Sequence, residues 1–409
     1  MKSLLDSRTA WITASAALVI MTIAYGAPLV VVVAMKQIAA ELQTNRSGPA
    51  GASSLSYVGA AFGGIVAGWL AGRMGIRPIV IFGSTMVAAG LLLSSFGGLF
   101  QIYVGHGVLM GLFGTSCMFS PLLTYVSLWF ERRRGSAIAL IASGQAVAGA
   151  IWPPLLQFGI DHVGWRHTAL LFGGFVLVAG VALTMIFLHP APIAPSATAG
   201  GASGATRRDS TLGLPPNLLM ILLMVAVYSC CVPMAMPMNH VVAYCGDLGF
   251  ASQYGAAMLS VLLGTAFLAR QFWGWLSDKI GGFQTLLFSS LVQATALAGF
   301  LITHDMAALF VVSAAFGLGL SGLLPAYVIV IRECFTAQEA NWRIPTVMFA
   351  GLLGMASGGW GAGMLYDQFG GYTPAFSTGM AFNLLNLGVL LFLVSRTHTR
   401  LMRQPQTST

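Results

Sequence analysis

Long apolar stretches, separated by short polar or glycine-rich segments, run the length of this chain. They fall roughly at residues 10–36, 51–71, 78–97, 101–129, 135–158 and 167–188, and again at 216–242, 252–276, 284–303, 306–331, 342–365 and 374–394. Each is long enough for a helix to cross a bilayer, which takes about 20 residues. The stretches are continuous rather than alternating over about ten residues, which favours helices over an outer-membrane barrel. The pattern predicts an all-α membrane protein with twelve transmembrane helices. The run that follows Lys2 and Arg8 is too long for a signal-peptide core and is expected to remain as the first span.

The two sets of six read as a repeat. Gly68 opens GWLAGRMGIR after the second stretch and Gly274 opens GWLSDKIGGF after the eighth, 206 residues later. Asp161, with Gly164 and Trp165, stands where Asp367, with Gly370, Gly371 and Tyr372, stands 206 residues on. One offset shared by two unrelated landmarks argues for a duplicated unit. The expected organisation is therefore two pseudo-symmetric six-helix bundles, 1–188 and 216–409, joined by a flexible cytoplasmic linker at 189–215. The linker is rich in Pro, Ala, Gly, Ser and Thr and cannot form a core. Duplicated membrane units point to a transporter with its site where the repeats meet.

Composition and charge fix the class and orientation. Hydrophobic residues make up 57% of the chain and charged residues 7%, against about 25% charged in a soluble domain. Fifteen of the 19 Lys and Arg fall on the side of the termini, Lys36, Arg46 and Arg166 fall on the other, and Arg270 lies within the membrane. Both termini are then cytoplasmic, in a multi-pass protein of the cell inner membrane. The net charge of +8 follows from this topology and calls for no nucleic-acid partner. The five cysteines lack metal-ligand spacing and read as reduced packing residues. No nucleophile, metal cluster or phosphate loop stands at a recognisable spacing, so neither an enzyme nor a bound cofactor or metal is expected. The chain is read as a monomer in the lipid bilayer.

Arg270 carries the candidate chemistry. It lies eight residues before Asp278 in the apolar run from Ala256 to Leu276, roughly 12 Å from the polar end of a helix. A cation there costs roughly 2.5 to 3.5 kcal/mol on insertion scales unless water, a partner or an anionic ligand compensates it. A guanidinium offers a carboxylate two charge-assisted bonds in place of its hydration. Tyr25, Phe119, Gln145, Tyr228, Asn239 and Tyr327 fall at mid-membrane depth and are candidate neighbours, with packing as the alternative role for each aromatic. Arg270 itself has the alternative of a structural residue, snorkelling toward the cytoplasm or bonding free carbonyls. The eleven acids all lie in loops or near span ends, leaving His106 and His240 as proton-coupling candidates; a proton can also ride on the substrate carboxylate.

GWLAGRMGIRP and GWLSDKIGG resemble the loop signature of the major facilitator superfamily, and the resemblance covers essentially the whole chain. WFERRRGSAIAL, SGQAVAGAIWPPL and GWR, within Gly111–Arg166, resemble its monocarboxylate and oxalate-formate type branch. In that branch an arginine on the eighth helix binds the substrate carboxylate, and Ala269, Arg270, Gly274 and Asp278 match its context. The loop signatures imply gating roles for Arg73, Arg77, Asp278 and Lys279. Gly72 replaces the acid of the first signature, Ala266 and Leu29 stand where some animal members carry an acid and a lysine, and Phe349–Leu365 lacks the second cation of dicarboxylate carriers. Phe119 stands where related bacterial members often carry a tyrosine.

The expectation is a secondary active transporter of a small organic anion, above all a monocarboxylate, with protons as a candidate co-substrate. A carrier of a larger metabolite or vitamin, an exporter of a toxic compound, and a non-transporting membrane sensor or scaffold remain alternatives.

Overall fold

In the computed structural model, residues 5–190 and 212–401 are described, and every regular element among them is helical. Lys2, Arg207, Arg208, Arg403 and most of the 189–215 linker lie outside the described residues. The helices are α1 Arg8–Ala24, α2 Leu29–Val33, α3 Met35–Glu41, α4 Ser47–Met74, α5 Ile76–Phe96 and α6 Leu99–Tyr103. A π-helical segment, Val104–Thr115, runs into α7 Ser116–Ser127, followed by α8 Arg134–Ala142 and α9 Gly144–Phe187. Beyond the linker come α10 Pro216–Asp247, α11 Ser252–Ile280, α12 Gly282–Ile302, α13 Met306–Ser321, α14 Leu323–Cys334, α15 Ala337–Phe369 and α16 Thr373–Leu401.

Among the described residues nine helices are long and apolar enough to cross a membrane, or ten if the bent pair Ser47–Gly64 and Val66–Met74 is one span. The hydropathy of the sequence gives twelve stretches, and the places where helices and stretches part have local causes. The first stretch begins with Ser7 accepting from the N–H of Ala10 at 3.2 Å. It breaks after Tyr25, where Pro28 precedes α2 and the chain continues as short helices. The fifth and sixth stretches join in the 44-residue α9, which turns its corner at Gly164 with φ 79° and ψ 161°. Only glycine adopts that conformation readily.

The turns repeat with the spacing of the sequence landmarks. Residues with positive φ pair at 206 positions: Asp6 with Leu212, Gln43 with Gly249, Gly75 with Gly281 and Gly164 with Gly370. Gly75 and Gly281 end α4 and α11 with nearly the same angles, φ 81° and ψ 172° against φ 84° and ψ 168°. The duplication is thus written in backbone conformation as well as in motifs. Gln43 occupies at φ 47° a turn that its counterpart fills with glycine. Gln43→Gly is expected to gain about 1 kcal/mol, the left-handed strain relieved less the entropy glycine adds to the unfolded chain. Thermal unfolding in detergent checks this, and an unchanged or lowered midpoint contradicts it.

The chain forms two compact units: the described residues of Met1–Ala197 with Met238–Gly264 and Gly359–Tyr372, and those of Thr198–Pro237 with Thr265–Gly358 and Thr373–Thr409. In the first, one core gathers Val30, Val31 and Ile38 with Val87, Leu91, Trp165 and Phe172. Another gathers α1 with Met118, Leu122, Trp129 and Phe130. The π-helical segment lies hard against α4, because Gly59 and Gly63 present bare backbone to it. A Cβ at these glycines would lie 2.1 Å from the Gly107 oxygen and 2.0 Å from the Leu112 oxygen. Small residues allow this approach where helices pack in lipid.

The second unit holds a buried polar chain. Asn383 donates to Gln293 at 2.7 Å, Asn386 donates to Ser290 at 2.7 Å, and the Tyr327 hydroxyl donates to Asn386 at 2.9 Å. All five side chains are fully buried, and each bond satisfies a group that apolar surroundings would penalise. In the same unit the Phe300 ring packs against those of Phe316 and Phe376.

Candidate functional site

Arg270 lies on α11 beside the face by which that helix packs in the second unit. Ala266, Ala269, Trp273 and Ser277 form that face, all buried. Two bonds fix its rotation: Thr265 donates to the Ala314 oxygen at 3.1 Å and the Trp273 indole to the Leu318 oxygen at 2.7 Å. With Thr265 and Trp273 held against α13, Arg270 is partly buried while Leu268 and Phe272 are exposed. Tyr228, on α10 of the same unit, meets the Phe382 ring at 6.1 Å. Tyr327 joins the buried polar chain with its hydroxyl already engaged by Asn386.

Tyr25, Phe119, Gln145 and Asn239 belong to the first unit. Tyr25 sits at the break after α1, and its ring meets Phe119 edge-on at 6.5 Å. Gln145, near the start of α9, is exposed. Its neighbourhood is pinned to α1 by the Trp152 indole, which donates to the Thr22 oxygen at 2.7 Å. Asn239 is buried on α10. The structure thus joins Tyr25 to Phe119 and divides the remaining candidates between two units.

The two histidines differ. His106, fully buried in the π-helical segment, places Nδ1 3.1 Å from the Ile102 oxygen and 3.3 Å from Ser94 Oγ. The carbonyl assigns the proton to Nδ1, leaving a lone pair on Nε2, which has no hydrogen-bond partner among the described residues. His240 has both nitrogens engaged, Nε2 at 2.8 Å from the Gly359 oxygen and Nδ1 at 3.0 Å from the Tyr372 hydroxyl.

The loop residues take distinct positions. Arg73 lies over the Trp69 ring at 3.9 Å, and Lys279 over the Trp275 ring at 4.0 Å, the same cation and indole 206 residues apart. Arg77 closes the end of α9, bonding the Leu188 oxygen and, at 3.1 Å, His189. Asp278 is exposed. Asp6 holds the backbone turn at the start of the Arg132–Arg134 run, accepting from the N–H groups of Glu131, Arg132 and Arg133 at 3.0 to 3.2 Å. The Arg132 N–H leads in holding the Asp6 carboxyl below its ordinary range, joined by Arg133 and Glu131 against the opposing effect of desolvation.

Charged residues that the hydropathy pattern assigns to loops away from the termini prove organised. Arg166 donates to Glu41 at 2.6 Å and to the Ser95 and Gly97 oxygens at 2.6 and 3.0 Å, tying α3, α5 and α9 together. The Arg166 guanidinium, then the Trp165 N–H, keep the Glu41 carboxyl below its usual range against the opposing effect of burial. Lys36, Arg46, Asp247, Asp367 and Tyr372 form a second cluster. The signal that could have found these residues was their rarity: three cations on one side, with acids at repeat spacing. The depressed Glu41 value means its contribution is present above the ordinary glutamate range and is lost as pH falls through the lowered value. Glu41→Gln is therefore expected to cost at most about 1 kcal/mol at pH 7, solvent screening included, and nothing in acid; equal cost at both pH values contradicts this.

Comparison with known proteins places the chain. The family model of the Major Facilitator Superfamily matches residues 12–307. Monocarboxylate transporter 13 of Bos taurus is 28% identical over 339 residues, 81% of this chain and 77% of that protein. Monocarboxylate transporter 11 of Mus musculus is 27% identical over 400 residues, 94% of this chain and 80% of that protein. A solved bacterial homolog of the human lysosomal transporter Spinster, in an inward-facing and occupied conformation, superposes with a TM-score of 0.67 at 14% identity. That match covers 97% of this chain and 98% of the other and shares the fold. The chain belongs to the Major Facilitator Superfamily, as a multi-pass membrane protein and secondary transporter of a small organic molecule.

Proposed function

We propose that this protein carries a monocarboxylate across the cell inner membrane by alternating access, with Arg270 as the anchor for the anion. The proposal takes the chain as twelve spans in two six-helix bundles, 1–188 and 216–409, with both termini cytoplasmic. The observation that carries the reading is Arg270 itself, a partly buried cation two turns inside an apolar helix whose rotation is fixed by Thr265 and Trp273. A charge in that place is stabilised by an anionic ligand, and a planar guanidinium suits a carboxylate. The monocarboxylate transporters among its relatives support the same substrate class. One cation matches one carboxylate, and the stretch Phe349–Leu365 supplies no second.

The proposal extends to Tyr25, Phe119, Gln145 and Asn239 of the first unit and to Tyr228 and Tyr327 of the second as substrate-binding residues. Protons travel with the anion, carried on the carboxyl group or through a histidine. His106 is the better placed of the two, since its Nε2 is left with an unused lone pair. Arg73, Arg77, Asp278 and Lys279 act at the cytoplasmic end as the halves rock.

Counterflow in proteoliposomes tests the substrate class. A labelled short monocarboxylate is expected to exchange with monocarboxylates, and far more weakly with a dicarboxylate or the neutral amide of the same acid. Equal exchange with the amide would remove the carboxylate from the recognition.

A further inference from the structure

Glu41 and Asp247 stand 206 residues apart, at the ends of α3 and α10, and Arg166 and Tyr372 stand at the same separation. The first half therefore keeps both members of an acid and arginine pair, and Arg166 holds Glu41 within that half. The second half keeps the acid and carries a tyrosine in place of its arginine. Asp247 is left to cations from the first half. Arg46 sets both terminal nitrogens against both of its carboxylate oxygens, and Lys36 Nζ lies 3.1 Å away.

The rest of the cluster is built around Arg46. Its guanidinium lies over the Tyr366 ring at 3.8 Å and donates to the Tyr372 hydroxyl at 3.1 Å, with the side chain 12% exposed. Asp367, on α15, accepts from the N–H groups of Arg46 and Ser47 at 2.8 and 2.9 Å. A carboxylate from the second half thus closes the N-terminus of a first-half helix whose own N-cap side chain makes no such bond. Gly363, one turn earlier, brings α15 against that same end: a Cβ there would lie 2.9 Å from Ser47 Cα. These segments, 238–264 and 359–372, belong to the same compact unit as the first half.

We infer that Arg46, Asp247 and Asp367 form a latch that holds the end of the transporter opposite its termini shut and must release once in each transport cycle. The inference rests on the alternating-access reading above. Contacts between the two halves of the sequence that must part when that end opens favour the closed state by whatever they contribute and shift the population toward it. Arg46 is a positioning residue rather than part of the anion site. With tyrosine at position 372 where the first half has Arg166, Asp247 pairs across the halves instead of within its own. Tyr372→Arg gives Asp247 a partner in its own half, as Arg166 gives Glu41, and frees Arg46.

Thiol labelling tests the latch without any substrate. Ser54→Cys places a reporter two turns along α4 from Arg46, at a side chain 6% exposed, and a membrane-impermeant maleimide is applied to oriented vesicles. The parent protein with its buried native thiols sets the background. Slow labelling is expected in the Ser54→Cys protein, and at least a tenfold rise when Asp247→Asn, Arg46→Ala or Tyr372→Arg is added. The charge-exchanged pair Arg46→Asp with Asp247→Arg is expected to bring the rate back toward the slow value, which a merely misfolded protein does not do. Equal labelling in all of these, or no recovery in the exchanged pair, overturns the latch. Labelling that follows the latch while no carboxylate is taken up would instead reject the transport reading alone.

Discussion

Arg270→Ala is expected to lower monocarboxylate uptake at least about 100-fold while leaving the protein folded, since removing one member of a buried, hydrogen-bonded charge pair costs roughly 2–5 kcal/mol. The argument is one of compensation. The guanidinium is carried into a partly buried position on α11, whose rotation Thr265 and Trp273 fix. A travelling carboxylate restores in the loaded state what burial removed. Arg270→Lys preserves the charge but not the planar pair of donors, and is expected to recover only a minor part of the rate. Initial uptake rates in proteoliposomes, with size-exclusion profiles as the control for folding, check both. Full activity in the lysine variant would reduce the site to a point charge, and full activity in the alanine variant would take the arginine out of transport.

Gly63→Leu is expected to prevent stable folding, with a loss of roughly 3 kcal/mol or more, beyond the usual range for overpacking because the obstacle is backbone. A side chain at this position begins 2.0 Å from the Leu112 oxygen and 2.7 Å from Ser116 Oγ, so α4 and the π-helical segment must separate. Gly59 meets the same segment one turn earlier. The control lies on the same helix: Gly72 has nothing within 4 Å of its added Cβ, and Gly72→Ala is expected to be neutral or to gain a little from helix propensity. Yield and thermal unfolding in detergent separate the two. Comparable behaviour at Gly63 and Gly72 would mean that α4 does not need its close contact.

Much of this was legible in the residues. Continuous apolar stretches give the membrane class, and the shared offset of Gly68 with Gly274 and Asp161 with Asp367 anticipates turns that recur at that spacing down to the dihedrals of Gly75 and Gly281. The place of Arg270 in an apolar run is likewise visible, because a cation there has few cheap explanations. The breaks within stretches are less visible. Gly164 turns a corner inside one long helix and Tyr25 ends α1 early, and neither changes the hydropathy around it. The π-helical winding of Val104–Thr115, packed hard against α4, likewise leaves no mark on the hydropathy.

The cluster around Arg46 was out of reach for a different reason. Its partners stand some 200 to 326 positions away, and a linear map sorts such charges by side without pairing them. Arg343 shows the same limit: counted among the cytoplasmic loop cations, it lies inside α15, 4% exposed and near Glu339, Asn217 and Met220.

The most direct measurement is the stabilisation of purified protein by monocarboxylates, read as a thermal shift for the wild type beside Arg270→Ala. The account predicts a concentration-dependent shift in the wild type that vanishes in the variant. The same shift in both proteins would contradict it.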